Sequence, residues 1–75
     1  MRWHKDCNGW YVSNDDRFLI HDDYDEKRKY HWVLIDTKLL NELREKKDMF
    51  AYAKAQYHCE TLKEAKAMAK AIKED

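Results

Sequence analysis

Histidine, cysteine and carboxylate side chains carry whatever chemistry this sequence could perform. His4 lies near Cys7, and His58 stands directly before Cys59. Imidazole with thiolate is a donor set that zinc favours. The spacing argues against a shared ion, because in extended chain His4 and Cys7 point to opposite faces, as do the neighbours His58 and Cys59. Both cysteines sit among aromatic residues, where a thiolate is disfavoured, and no glycine-rich turn or helix start is placed to supply an oxyanion hole. Asp22, Asp23, Asp25 and Glu26 lack the glycine and the twelve-residue spacing of a calcium loop. The expectation is a chain with no catalytic residues, no metal and no cofactor. His21 and His31 flank the acidic run and read as exposed strand-end residues; placed in an interface, they would make binding depend on pH between about 5 and 8.

What remains is a surface. The stretch HDDYDEKRKYHW, residues 21–32, sets acids beside bases between two apolar runs. A loop linking two strands must solvate its backbone, so charge there is the ordinary outcome. Used functionally, the loop would pair at short range, since the opposite fields of its halves cancel beyond a Debye length of about 8 Å. The contact set for a protein partner is then Asp22, Asp23, Tyr24, Asp25, Glu26, Lys27, Arg28 and Lys29, with Tyr11 as a second exposed aromatic. A nucleic-acid partner would instead use Lys46, Lys47, Lys54, Lys63, Lys66 and Lys70 on the later helices.

The size of the chain points the same way. A single domain of 75 residues has a total stability of roughly 4 to 11 kcal/mol, so its apolar side chains are needed for the core and few are left to line a pocket. The formal net charge is zero, but residues 1–26 hold three bases against seven acids and residues 27–75 hold twelve bases against eight. The two parts carry minus four and plus four. The sequence has no apolar run long enough to span a bilayer and no leader pattern, which reads as a cytoplasmic protein without a membrane partner. Two cysteines read as free thiols rather than a disulfide framework. Oligomeric state is not legible.

The elements that must position these residues emerge from turn signals and periodicity. Asn8-Gly9 predicts a two-residue hairpin between residues 3–7 and 10–13, pairing Cys7 with Trp10 and Lys5 with Val12, with Trp3, Cys7, Trp10 and Val12 on the core face. Asn14-Asp15-Asp16 is a second turn. Strands come next at 17–21 and 30–35, the latter apolar on both faces as in an interior strand. Leu39, Leu40 and Leu43 give a helix over 37–47, capped by Asp36 or Thr37. Residues 49–59 suit helix by their alanines and strand by their alternation; helix to about Tyr57 is the preferred reading. Thr61-Leu62-Lys63-Glu64 is a capping box opening a helix over 62–73, with Leu62, Ala65, Met68, Ala69 and Ile72 as its apolar stripe. The fold class is α+β: an antiparallel sheet of three or four strands over residues 2–36, then two or three helices, the last packed on the sheet. Trp3, Trp10, Phe18, Ile20, Trp32, Leu34, Leu62, Ala65, Ala69 and Ile72 should form the core.

Through Trp10-Tyr11, Trp32 and Thr61-Leu62-Lys63-Glu64-Ala65-Lys66 the chain resembles the sheet-and-helix arm-binding domains of phage and transposon integrases, which implies DNA binding through a basic sheet face. The sheet segment here is acidic. The same closing segment is similar to small accessory proteins of phages and prophages, including inhibitors of bacterial defence systems, which implies a compact body that occupies another macromolecule's surface. The leading expectation is a non-enzymatic binding protein of that inhibitor type, anti-CRISPR-like. The alternative is a small nucleic-acid-binding module.

Overall fold

A computed structural model describes residues 1–6, 10–22 and 32–74. Its elements are β1 (Trp3–Lys5), β2 (Tyr11–Ser13), β3 (Phe18–Asp22), β4 (Trp32–Asp36), α1 (Thr37–Glu45), α2 (Ala51–Lys54), β5 (Gln56–Cys59) and α3 (Leu62–Glu74). The five strands form one antiparallel sheet in chain order, giving the α+β class expected from the sequence.

The sheet is covered on both sides. Phe18, Ile20, Leu34 and Cys59 pack against Ala65 and Ala69 of α3, with Trp3, Tyr11, Trp32, Tyr57, Leu62 and Ile72 closing the margins. The alternate β4 residues Val33 and Ile35 face the other way, against Leu40 of α1 and Ala51 and Ala55 of the α2 segment. This explains why β4 is apolar at every position before its closing Asp36: a strand buried on both faces cannot alternate. The alanines of α3 let its backbone come close to the sheet. Met68, on the expected stripe, stays partly exposed.

The ends of α1 and α3 are built from local chemistry. Asp36 accepts the N–H groups of Lys38 and Leu39 at 3.2 and 3.3 Å, capping α1. At α3, Thr61 Oγ1 accepts the Glu64 N–H at 3.1 Å, and Glu64 reaches back to the N–H of Glu60, also at 3.1 Å. The carboxylate thus grips one residue earlier than an ideal capping box would.

Two expectations need correction. The hairpin pairs Trp3 with Ser13, His4 with Val12 and Lys5 with Tyr11, one residue away from the expected register. Asp6 closes it, donating its N–H to the Trp10 carbonyl at 2.8 Å while its side chain accepts the Trp10 N–H at 3.1 Å. A slip of one residue inverts the faces. Trp3 and Tyr11 therefore look toward α3, whereas Trp10 and Val12 lie on the opposite face, and Trp10 stacks on His21 with ring centroids 4.5 Å apart rather than entering the core. Cys7, expected on the core face, lies outside the described residues. The second correction concerns residues 49–57, which are not one helix. Only Ala51–Lys54 is helical, and Gln56–Cys59 adds a fifth strand to the open edge of β4.

Candidate interaction surface

Of the apolar side chains most exposed among the described residues, Met49 and Phe50 stand in the turn between α1 and α2, and Tyr52 lies in α2 itself. Met49 is 91% exposed, Phe50 66% and Tyr52 46%. In so small a body, where apolar area is scarce, adjacent exposed Met and Phe side chains make this turn the candidate surface.

The turn that presents them is firmly held. Past the Lys46 cap of α1 comes Lys47, whose φ of 57° lies in the left-handed region usually occupied by glycine. Lys47 donates its N–H to the Arg44 carbonyl and Asp48 donates its own to the Leu43 carbonyl, each at 3.0 Å, the paired bonds of a Schellman ending. Asp48 then braces the next turn of chain. One carboxylate oxygen accepts the Phe50 N–H at 2.8 Å and the other accepts the Lys54 ammonium at 2.6 Å. These bonds, the Lys54 ammonium foremost, hold the Asp48 carboxyl below the usual carboxylate range. The Ala51 N–H returns to the Asp48 carbonyl and the Lys54 N–H to that of Phe50. Met49 and Phe50 thus stand on a backbone bonded before, within and after them.

The residues singled out from sequence are distributed differently. Asp22 is exposed at the end of β3; Asp23, Tyr24, Asp25, Glu26, Lys27, Arg28, Lys29 and His31 lie outside the described residues. Tyr11 is not a free surface aromatic. It is half-buried, meets Trp32 edge-on at 6.3 Å, and is approached by the ammonium groups of Lys5 and Lys66 at 5.7 and 5.1 Å from its centroid. The six lysines of the nucleic-acid set do not share one face, since Lys46, Lys47 and Lys54 belong to the α1–α2 side of the sheet and Lys63, Lys66 and Lys70 to α3. Lys54 is paired with Asp48, and Lys73 with Asp15 at 2.8 Å.

Of the candidate metal ligands, His4 shares a 3.0 Å hydrogen bond with Asn14, and His58 lies on the sheet face opposite Cys59. No group of three or more His, Cys, Asp or Glu side chains converges on one point among the described residues. No described helix is long and apolar enough to cross a membrane.

The Met49–Phe50 turn escapes a reading of the sequence because its apolar residues and alanines together suit a helix. The signal that could have found it is Asp48 itself, an acid directly after two lysines that interrupts the leucine periodicity and favours a turn bonded to its own side chain. No family model, curated protein or solved structure matches the chain.

Proposed function

We propose that this chain is a non-enzymatic binding protein that works by occupying the surface of another protein, in the manner of phage-encoded inhibitors of bacterial defence complexes. The observation that carries the reading is the exposed Met49 and Phe50 on a turn fixed by Asp48, with Tyr52 exposed on the helix that follows. A rigid apolar projection is a favourable docking element because little conformational freedom is lost when it is buried. The likeness of Thr61-Leu62-Lys63-Glu64-Ala65-Lys66 to small phage accessory proteins supports the inhibitor assignment.

The test is phage plating on bacteria whose CRISPR systems target that phage, with and without the chain expressed. Restored plating by the wild type, lost in the Met49→Ser/Phe50→Ser double variant at equal protein level, is the expected result. Unchanged plating across every system tried removes the inhibitor assignment, and a double variant as active as wild type removes the docking role of the turn. The nucleic-acid reading is separated by salt: a DNA complex loses affinity steeply and log-linearly between about 50 and 200 mM.

A further inference from the structure

Tyr11 gathers two cations from opposite ends of the chain. Lys5 of β1, its partner across the hairpin, brings an ammonium to 5.7 Å from the ring centroid, and Lys66 of α3 brings another to 5.1 Å. Lys73 of the same helix reaches Asp15 in the turn after β2. These contacts fix which flank of α3 faces the hairpin, and Lys70, four residues after Lys66 and three before Lys73, stands on it too. Lys73 is taken by Asp15. Lys5, Lys66 and Lys70 have no carboxylate partner among the described residues. The acids near them are engaged or offset: Asp6 accepts the Trp10 N–H, Glu64 accepts that of Glu60, Glu74 stands one turn past Lys70, and Asp22 closes β3, two strands from Lys5. The ring offsets part of the repulsion between the two ammonium groups, and an anion beside them would offset more.

We propose that Lys5, Lys66 and Lys70 contact the phosphate backbone of duplex DNA, at a surface separate from the Met49–Phe50 turn on the α1–α2 side of the sheet. An ammonium is a point charge that takes phosphate oxygens from any direction, whereas carboxylate recognition favours the planar fork of arginine; the three unpaired bases are all lysine. An acidic protein would need an apolar centre to its interface. Met68, two residues from both Lys66 and Lys70, stands on the other flank of α3, and Met1 lies by Asp15 and Lys73. Tyr11 is half-buried and already met by two ammonium groups and by Trp32, so it is not a stacking platform of the kind single strands use. Exposed cations hold a lone phosphate weakly in water, but binding to a duplex gains from release of the counterions condensed along its backbone.

The experiment follows the anisotropy of a fluorescent DNA duplex titrated with the whole chain, and in parallel the amide resonances of the isotopically labelled chain with the same duplex. Three phosphate contacts give a slope of about −2.7 in log association constant against log salt, with shifts centred on Lys5, Tyr11, Lys66 and Lys70. Lys66→Gln/Lys70→Gln, with a thermal midpoint near wild type, should weaken binding at least about tenfold at about 50 mM salt and bring the slope to about −0.9. Lys46→Gln/Lys47→Gln and Met49→Ser/Phe50→Ser should bind as wild type does. Should the Lys66 variant fail to fold, the position of the shifts in the wild type decides.

No binding at about 50 mM salt, a slope near zero, shifts centred elsewhere, or an equal loss in either control variant overturns the site. Tighter binding of oligothymidylate than of the duplex overturns it in favour of single strands, and displacement of the duplex by polyglutamate of equal charge overturns it in favour of an acidic protein. The docking role of the Met49–Phe50 turn is read separately, from phage plating.

Discussion

Arg17, directly before β3, and Asp36, the last residue of β4, meet in a two-point ion pair, Nε to Oδ1 and Nη2 to Oδ2, each at 3.2 Å. Asp36 is almost completely buried, and the same carboxylate caps α1. One residue therefore ties the sheet to the helix that precedes the Met49–Phe50 turn. Removing it leaves a partly buried guanidinium and two uncapped N–H groups together. Asp36→Ala should cost about 3 kcal/mol in urea unfolding, combining a lost cap with a broken ion pair. A loss below about 0.5 kcal/mol would show that the pair contributes only as an exposed one does.

Asp15 supplies an acid-sensitive contact on the other side. It accepts the Lys73 ammonium at 2.8 Å, the Ser13 hydroxyl at 2.6 Å and the Arg17 N–H at 3.1 Å. These bonds, Lys73 first, hold its carboxyl far below the usual range. A carboxylate depressed in the folded chain favours folding fully above its unfolded pKa of about 3.9, and that contribution is lost as pH falls through the lower folded value. Wild type should therefore exceed Asp15→Asn in urea midpoint near neutrality, with the gap closing from about pH 4 downward. Because Asp15 is exposed, added salt should shrink the gap too. A gap that stays constant across this acid range contradicts the assignment.

Lys47 bears a backbone penalty that glycine would remove. At φ 57° a Cβ crowds the following carbonyl, while the hydrogen bonds of the helix end require that conformation. Lys47→Gly should stabilise by about 0.5 to 1 kcal/mol after the greater freedom of unfolded glycine is deducted. Lys47→Ala, which keeps the Cβ, should gain nothing. An increase in urea midpoint for alanine equal to that for glycine would place the effect in the lost charge instead.

The elements legible in the sequence are those fixed by neighbours along the chain. The Asp36 cap, the Thr61–Glu64 box and the apolar run of β4 each announce themselves within a few residues. The features that escape it depend on distant or idiosyncratic choices. The hairpin register turns on the Asp6 side chain taking the Trp10 N–H, a bond that Asn8-Gly9 does not foretell. Strand β5 exists because β4 had an edge to fill and because Tyr57 and Cys59 alternate toward α3, which outweighs the helix preference of the alanines before them. The Met49–Phe50 turn is hidden for a related reason: Phe50 is a residue type of a core, and the bonds that set the chain there, among them the Phe50 N–H to Asp48, run to the backbone and to one side chain.

If Met49 and Phe50 serve a partner rather than the fold, their removal should be nearly free. Phe50→Ser and Met49→Ser should each change stability by less than about 0.5 kcal/mol, against about 3 to 5 kcal/mol for truncating the fully buried Phe18 to alanine. The contrast is read from urea midpoints of the three variants. A loss above about 2 kcal/mol at Phe50 would mean that its ring is packed in solution.

Cys59 offers a chemical measure of how tightly the α3 face is closed. The residue is only 3% exposed, lying beneath Ala65 and Ala69, and burial first, then the nearby Glu64 charge, pushes its pKa up. Both effects suppress the thiolate, the species that attacks a disulfide reagent. With Cys7 replaced by serine, Cys59 in the folded chain should react at least about a thousandfold more slowly than in the unfolded chain, because reaction waits for an opening as rare as global unfolding. The rate should climb with urea in parallel with the unfolded fraction. Reaction that is fast in water and indifferent to urea would mean that α3 lifts from the sheet by itself, and the packing of Ala65 and Ala69 on β3 and β4 would not hold this side of the molecule shut.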